Sequence, residues 1–226
     1  KFHHFVSKKS FDITDLGPKV IDVLLENSLI VEFSDIFTLE KGDLLSLPRF
    51  AEKSVDNLLQ AILKAKKVTL PRFIIGLSIP QVGEETAHLL AQNFHDIRNL
   101  EKARKEDLER VEGVGPIVAD SIVEFFKSKE NQKIINNLLN YVVVEKIEAP
   151  KKNTSISGKT FVLTGTISMP RDEAKEKLRQ LGAIVSESVS KKTDYVVAGE
   201  NSGSKAEKAE ELGVKIISEK EFLALL

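Results

Sequence analysis

A short sequence pattern occurs four times within residues 13–115, and it restricts the fold more than any other feature. Each copy has an apolar residue, two variable residues, an apolar residue and a small residue, with starts 34, 32 and 32 residues apart. The copies lie at residues 13–17, 47–51, 79–83 and 111–115. Apolar residues recur three, four, seven and eight positions after the small residue, except for Ser54 and Thr86. Because this is the spacing of one helix face, each copy predicts a tight turn that leads directly into an α-helix.

A longer similarity overlies the short repeat. Residues 35–41 and residues 96–102 lie 61 positions apart, and both begin with Asp-Ile and end with Leu-Glu-Lys. The first and second copies therefore form one pair, and the third and fourth copies form another.

The composition changes near residue 150, which indicates two domains. Before this point the apolar residues follow helical spacing, whereas afterwards strand-like runs occur at 160–163 and 195–198. The polar, proline-containing stretch between them is typical of a linker. We therefore predict an all-α repeat domain at 1–148, a linker at 149–155 and a small α/β domain at 156–226.

Bulk composition limits the classes of protein that remain possible. Hydrophobic residues make up 42% and charged residues 30% of the 226 residues, as in folded globular proteins. The formal net charge of -1 provides no overall basic field, so any contact with nucleic acid must be local. The chain has no cysteine for disulfides or thiolate zinc sites, and no apolar run long enough for a membrane helix. It begins with Lys rather than Met and has no signal-peptide pattern, which suggests a piece of a longer protein.

The repeat has a physical reason to bind anions. A helix that begins directly after a tight turn leaves its first N–H groups without intrahelical partners, at the positive end of the helix dipole. Gly113 and Gly115 allow a phosphate to approach the main chain closely. Contacts of this kind hold a duplex without reading its base sequence.

The repeat resembles the helix-hairpin-helix motif, whose core is apolar-x-Gly-apolar-Gly. The fourth copy matches it fully, whereas the third carries Glu84 and Glu85 where phosphate is expected to lie. We rank the fourth and second copies ahead of the first, and the third last. The candidate phosphate-binding residues are Gly113, Gly115, Gly17, Lys19, Arg49, Lys53 and Gly83. The alternative, favoured for the third copy, is that the hairpins only pack helices together.

The second domain alternates strands and helices. Strands are predicted at 157–165, 183–185, 195–198 and 214–217, and helices at 170–181, 204–212 and 219–226, the last capped by Ser218. This order predicts a small, mainly parallel four-stranded sheet covered on both faces.

This strand and helix order, together with Thr164-Gly165, residues 193–197 and Ser204-Lys205, closely resembles a BRCT domain. The resemblance implies a phosphate pocket formed by Thr164, Gly165 and either Lys205 or Lys208. An equally good interpretation is that these residues form a solvated surface that binds no ligand. Most BRCT domains have tryptophan in the last helix, where this chain has Phe222, a departure also expected of bacterial ligase versions.

Four hairpins followed by one BRCT domain resemble the C-terminal part of bacterial NAD-dependent DNA ligases. Five short segments also resemble the sequences of that family. They are residues 4–7, 12–17, 53–59, 82–87 and 199–205. The resemblance implies an enzyme that uses NAD and magnesium, carries a zinc finger and seals nicks in replication and repair. Its expected location is the bacterial cytoplasm, at the nucleoid.

The same resemblance implies that this chain is inactive alone. The family's adenylated lysine lies in a Lys-x-Asp-Gly motif, which the sequence lacks. The adenylation, oligonucleotide-binding and zinc-finger domains are then expected upstream of this chain. The expected partners of the chain are these domains and nicked double-stranded DNA. We predict no catalytic residue, metal site, cofactor or membrane contact within the chain.

Two alternatives remain at this stage. A non-enzymatic protein-interaction scaffold fits the near-neutral charge and the degenerate copies one to three. The sequence gives less support to a fragment of a repair nuclease or of an X-family polymerase. It has no metal-binding carboxylate cluster for nuclease chemistry, and X-family polymerases place BRCT before the hairpins.

Overall fold

The computed structural model describes residues 1–48, 50–145 and 155–226. The chain divides into two units, Lys1–Ile147 and Glu148–Leu226. Residue Arg49 and most of the predicted linker 149–155 lie outside the described residues. The linker and the domain bounds around it therefore stay predictions.

The first unit is built mainly from short helices. In chain order its elements are α1 Phe2–Phe5, α2 Pro18–Glu26, a 3-10 helix Phe33–Thr38, α3 Lys41–Leu45, α4 Glu52–Ala65, strand β1 Lys67–Thr69, α5 Leu70–Gly76, α6 Glu84–Phe94, α7 Ile97–Glu101, α8 Lys105–Glu109, α9 Pro116–Lys127, α10 Lys129–Leu139 and strand β2 Val143–Glu145. The helix predicted after each repeat is confirmed, as α2, α4, α6 and α9.

The repeated helices bury the same positions in every copy. The residues four and seven positions after each small residue are Ile21, Leu24, Val55, Leu58, Ala87, Leu90, Ala119 and Ile122, and all are fully buried or nearly so. Removing this apolar surface from water fixes which face of each helix turns inward. An aromatic cluster closes the amino-terminal end of this core, where Phe5 stacks on Phe11 and Phe33 with ring centroids 4.1 and 4.4 Å apart.

The all-α prediction for the first unit is wrong in one respect. Strands β1 and β2 pair in parallel, with Lys67 opposite Val143 and Thr69 opposite Glu145. Each strand has only three residues, and each follows closely after a helix, α4 or α10. Because the partner lies far away in sequence, no local periodicity marks these strands.

Within residues 155–226, the second unit contains four strands and three helices. They are β3 Thr160–Thr164, α11 Arg171–Gln180, β4 Ile184–Ser186, β5 Tyr195–Ala198, α12 Ser204–Glu211, β6 Lys215–Ser218 and α13 Glu219–Leu223. The strand order is β4-β3-β5-β6, and every pairing is parallel. The predicted four-stranded sheet is confirmed.

Both faces of this sheet are covered, as the alternating side chains require. Phe161 and Leu163 pack in one buried cluster with α11 and α13, whereas Val162 packs in another with α12. Phe222 is fully buried in the first cluster. Ser218 caps α13 as predicted, through reciprocal hydrogen bonds with Glu221, although the helix ends at Leu223 rather than at Leu226.

Candidate nucleic-acid interface

The fourth hairpin forms a tight turn followed at once by helix α9. The backbone N–H of Val114 donates to the carbonyl of Val111 at 3.0 Å and closes the turn. Gly113 occupies the left-handed region, with φ of 88°, which favours glycine. Gly115 is extended and forms the N-cap of α9, and Pro116 occupies the first helical turn. The first glycine of the motif therefore provides the left-handed turn, and the second forms the N-cap of the helix.

The turn geometry recurs where the first glycine is replaced. Asp15 in the first hairpin and Gln81 in the third have φ of 68° and 64°, and both occupy the position of Gly113. The turns close through the same type of hydrogen bond, from Leu16 N–H to Ile13 and from Val82 N–H to Ile79. In the second hairpin this position is Arg49, which lies outside the described residues. The turn is thus preserved even where the sequence motif has lost its glycine.

The four repeated helices begin without a side-chain cap. Their N-caps are Gly17, Ala51, Gly83 and Gly115, and none makes a side-chain cap hydrogen bond within the described part of the chain. Asp96 and Ser128 accept hydrogen bonds at the starts of α7 and α10, whereas α5, α11 and α12 lack a side-chain cap as the hairpin helices do. Unoccupied N–H donors at a helix start are suited to bind an external anion.

The space beside these N-caps is also open. A Cβ added at Gly17, Gly83 or Gly115 meets no atom within 4 Å. Neither their φ angles nor internal packing therefore explains why glycine occupies these three positions. A ligand that approaches the main chain from outside would explain it.

The hairpins differ in charge just after the N-cap. Two residues beyond it stand Lys19, Lys53, Glu85 and Ile117 in the four copies. Lys19 and Lys53 are exposed and form no ion pair among the described residues. The third helix begins with Glu84 and Glu85, and the Glu84 carboxylate lies 2.9 Å from Lys9 Nζ. The first two hairpins therefore carry an exposed cation just after the N-cap, whereas the third carries two carboxylates there.

Ile117 is the residue at the fourth hairpin that sequence reasoning missed. Ile117 is 75% exposed and lies two positions beyond the N-cap Gly115. Aligning the four copies and comparing the second helical position would have identified it as the uncharged exception. At this position the fourth hairpin therefore offers only backbone N–H groups, without a cationic side chain.

The BRCT candidates lie in two places, at the end of β3 and on helix α12. Thr164 is buried at the end of that strand, and Gly165 follows with φ of 73°. Lys205 lies in the first turn of α12, whereas Lys208 is exposed in its last turn. Arg171, which was not predicted as part of this site, donates to the carbonyl oxygen of Gly165 at 2.7 Å.

A second unpredicted group in this unit is the ion pair of Lys175 and Glu187. The Lys205 ammonium lies 3.7 Å from the same carboxylate. A hydrogen bond from Lys175, aided by the charges of Lys205 and Arg171, holds the pKa of Glu187 below its ordinary value. The signal in the sequence was the four-residue spacing of Arg171 and Lys175, which places both on one face of α11.

The described residues do not provide a site for a metal ion. They contain no cluster of three or more histidine, aspartate or glutamate side chains with suitable geometry, and the sequence has no cysteine. The donor set thus fits neither a zinc finger nor a carboxylate-bound metal ion. Within the same residues, every helix is too short or too polar to cross a membrane.

The fold and the hairpins together define a protein of the helix-hairpin-helix and BRCT class. Residues 72–135 match the helix-hairpin-helix motif family, a range that contains the third and fourth hairpins. Residues 151–226 match the BRCA1 C Terminus (BRCT) domain family.

Sequence relatives identify the protein family more closely. A DNA ligase of Coxiella burnetii is 46% identical over 99% of this chain and 33% of its own length. DNA ligases of Thermosipho africanus and Alkalilimnicola ehrlichii are 45% and 46% identical, over 34% of their own lengths. The chain is similar to these DNA ligases over almost its whole length, and it spans about a third of the length of these relatives.

Proposed function

We propose that this chain holds duplex DNA by its sugar-phosphate backbone, as the C-terminal part of an NAD-dependent DNA ligase that seals nicks in replication and repair. The observation that carries this proposal is the uncapped helix start that recurs in all four hairpins. Since the relatives are named DNA ligase, the anion expected at these helix starts is a DNA phosphate.

The hairpins divide the binding between two physical mechanisms. Lys19 and Lys53 contribute cations that release counterions from DNA when they bind. Gly115 leaves the backbone N–H groups of α9 open for a hydrogen-bonded phosphate contact. Paired hairpins placed across the minor groove can hold phosphates of both strands. None of these groups reads a base edge, so binding is independent of sequence.

The chemical steps of the proposed parent enzyme belong to other domains. NAD supplies the AMP that activates the 5′-phosphate, but this chain lacks the Lys-x-Asp-Gly motif that accepts AMP. The proposed partners are therefore upstream adenylation, oligonucleotide-binding and zinc-finger domains, with magnesium at the reaction centre. The 226-residue chain alone binds DNA without sealing it, and its proposed location is the bacterial nucleoid in the cytoplasm.

Binding of the chain to nicked and intact duplexes of two unrelated sequences, across a salt series, tests this proposal. We expect affinity to fall with salt and to be alike for both sequences. The Lys19→Ala/Lys53→Ala variant should reduce the slope of log affinity against log salt by about 2, since each phosphate contact contributes about 0.9. Lys64→Ala removes an exposed lysine at the far end of α4 and is the matched control.

The near-neutral net charge favours a second candidate, a protein-interaction scaffold without DNA contact. Absence of binding to either duplex at low salt would refute the DNA proposal and support the scaffold. An unchanged salt slope in the double-lysine variant would refute the assigned role of Lys19 and Lys53.

A further inference from the structure

Ile117 differs from the other surface residues of the fourth hairpin because it is large, apolar and mostly exposed. It lies in the first turn of α9 and is 75% exposed. Among the large hydrophobic residues that the structure describes, only Val31 exceeds this value, at 77%. A single exposed apolar residue is common on protein surfaces, so the surroundings of Ile117 decide what it can bind.

The surface next to Ile117 consists of apolar groups and bare backbone. Pro116 precedes it and is exposed, as is Gly115, which has no side chain. Asp120 lies one helical turn further on, and its carboxylate is 2.6 Å from Lys105 Nζ. Because this ion pair offsets the negative charge, an apolar part of a ligand can approach Ile117 without lying beside an unpaired carboxylate of α9.

The face of α9 that carries Ile117 is turned towards the third hairpin. Ser121 lies four residues after Ile117, so the two residues share one helix face. The Ser121 hydroxyl donates a hydrogen bond of 2.6 Å to the carbonyl oxygen of Pro80 in the third hairpin. Ile117 therefore lies between the contact with the paired hairpin and the uncapped start of its own helix. A duplex held by both hairpins is expected on this side.

A phosphate at the start of α9 would bring a sugar to Ile117. Each phosphate of duplex DNA lies between two deoxyriboses, and their carbon atoms form apolar parts of the minor-groove wall. At the 2′ position deoxyribose has only hydrogen atoms, whereas ribose has a hydroxyl that is both donor and acceptor. Packing isoleucine against that hydroxyl would leave it without a hydrogen-bond partner, which is unfavourable.

We propose that Ile117 packs against deoxyribose carbons beside the phosphate held at Gly115, and that it makes the fourth hairpin select a DNA strand over an RNA strand. This inference rests on the proposed function, because the phosphate contact brings the sugar within reach. The selection concerns the sugar and not the bases, so binding stays independent of sequence. Lys19 and Lys53 occupy the same position in the first two hairpins, and they are suited to phosphate, which DNA and RNA share.

The test measures the affinity of the 226-residue chain for a DNA duplex and for a DNA·RNA hybrid of the same sequence, across a salt series. Ile117→Ala should bind the DNA duplex about five-fold more weakly, because it removes much of the apolar contact. The slope of log affinity against log salt should stay the same, since an apolar contact releases no counterions. Alanine favours the helix, so this variant should fold.

Ile117→Thr separates the sugar preference from apolar contact in general. It keeps the branched shape and adds a hydroxyl that can bond to the 2′-hydroxyl of ribose. It should reduce the preference for the DNA duplex over the hybrid by about five-fold, the value of one hydrogen bond. A second hybrid, with 2′-fluoro in place of the 2′-hydroxyl, keeps the A-like geometry without the hydroxyl donor. The parent chain should bind this hybrid more tightly than the ribose hybrid.

Val31→Ala is the matched control, because Val31 is as exposed as Ile117 but precedes the 3-10 helix at Phe33–Thr38, outside the four hairpin turns. Its affinity for each duplex should stay within about two-fold of the parent chain. An equal loss of affinity in Val31→Ala and Ile117→Ala would overturn the proposal, because the effect would then not belong to the fourth hairpin.

The remaining outcomes distinguish this inference from the proposed function. Salt-dependent DNA binding that Ile117→Ala retains at full affinity would overturn the inference and leave the proposed function intact. A preference for DNA that Ile117→Thr keeps in full would overturn the selection of the sugar, as would equal affinities of the parent chain for the ribose and 2′-fluoro hybrids. Absence of DNA binding by the parent chain at low salt would refute the proposed function, and this inference with it.

Discussion

The Ser121 hydroxyl donates a hydrogen bond of 2.6 Å to the carbonyl oxygen of Pro80, and this bond joins helix α9 of the fourth hairpin to the turn of the third. A reciprocal contact exists in the opposite direction. Leu89 Cδ1 on α6 lies 3.2 Å from where a Cβ on Gly113 would stand. Ser121 and Leu89 each follow the N-cap glycine of their helix by six residues. The two hairpins therefore hold each other through equivalent positions, and the third hairpin supports the turn of the fourth.

Replacing Ser121 with alanine tests this support. The change leaves the Pro80 carbonyl without the hydroxyl, so we expect the free energy of unfolding to fall by about 0.5–1.5 kcal/mol. Ser121→Thr keeps the hydroxyl and should retain most of that stability. Urea unfolding of the three proteins provides the measurement, and equal midpoints for all of them would show that the bond has no effect.

The two glycines of the fourth hairpin should respond differently to alanine. Gly113→Ala forces a side chain into the left-handed region and against Leu89, so we expect a loss of about 1–2 kcal/mol. Gly115 is extended and has open space, so Gly115→Ala should change stability by less than about 0.5 kcal/mol. Thermal unfolding compares the two variants, and similar losses would contradict the separate backbone functions assigned here.

The helical repeat could be read from the sequence because its information is local. The spacing of Ile21 and Leu24 after Gly17 fixes both the buried face and the start of the helix, and the same holds in each copy. The parallel sheet of the second unit was predictable for a similar reason, since its strands alternate with helices that have clear ends.

Contacts between distant segments could not be predicted in this way. Strand β1 is defined by pairing with β2, and the cluster at Glu187 by the approach of two helices. Glu187 itself resembles any solvated glutamate when only its neighbours in sequence are considered. The positive φ of Asp15 and Gln81 was also hidden, because both residues replace a glycine without changing the turn.

Ile117→Lys should give the fourth hairpin the cation that the first and second hairpins have at the same position. We expect the slope of log affinity against log salt to become steeper by about 0.9, the value for one added phosphate contact. Ile117→Gln is the matched control, because it adds polarity without charge. Fluorescence anisotropy with a labelled duplex measures both variants, and an unchanged slope for Ile117→Lys would place this helix start away from DNA.

Asp194 should contribute to the acid unfolding of the second unit. Its carboxylate accepts a hydrogen bond from the Thr160 N–H at 2.8 Å and another from Lys159 Nζ at 2.9 Å, and these lower its pKa. Because the folded pKa lies below the unfolded value of about 3.9, the stabilisation is complete above that value. It is lost as the pH falls through the folded pKa.

Asp194→Asn should therefore flatten the decrease in stability between roughly pH 5 and pH 2. Lys159→Met keeps the larger contribution, the Thr160 hydrogen bond, and should remove only a part of the pH dependence. Urea unfolding at a series of pH values measures both variants. A pH profile for Asp194→Asn that matches the parent chain would contradict the assignment.

The most direct test of DNA binding by the fourth hairpin compares two variants, Gly115→Asp and Gly83→Asp. The measurement is the affinity of each variant for nicked duplex at low salt. Aspartate suits the extended N-cap, so both variants should fold and their helices should gain a few tenths of a kcal/mol. At Gly115 the carboxylate takes the place of the phosphate, and we expect affinity to fall by about ten-fold or more, as for the loss of a charge-assisted contact. At Gly83, beside Glu84 and Glu85, affinity should stay within about two-fold of the parent chain. Full affinity in Gly115→Asp would show that the fourth hairpin does not hold DNA.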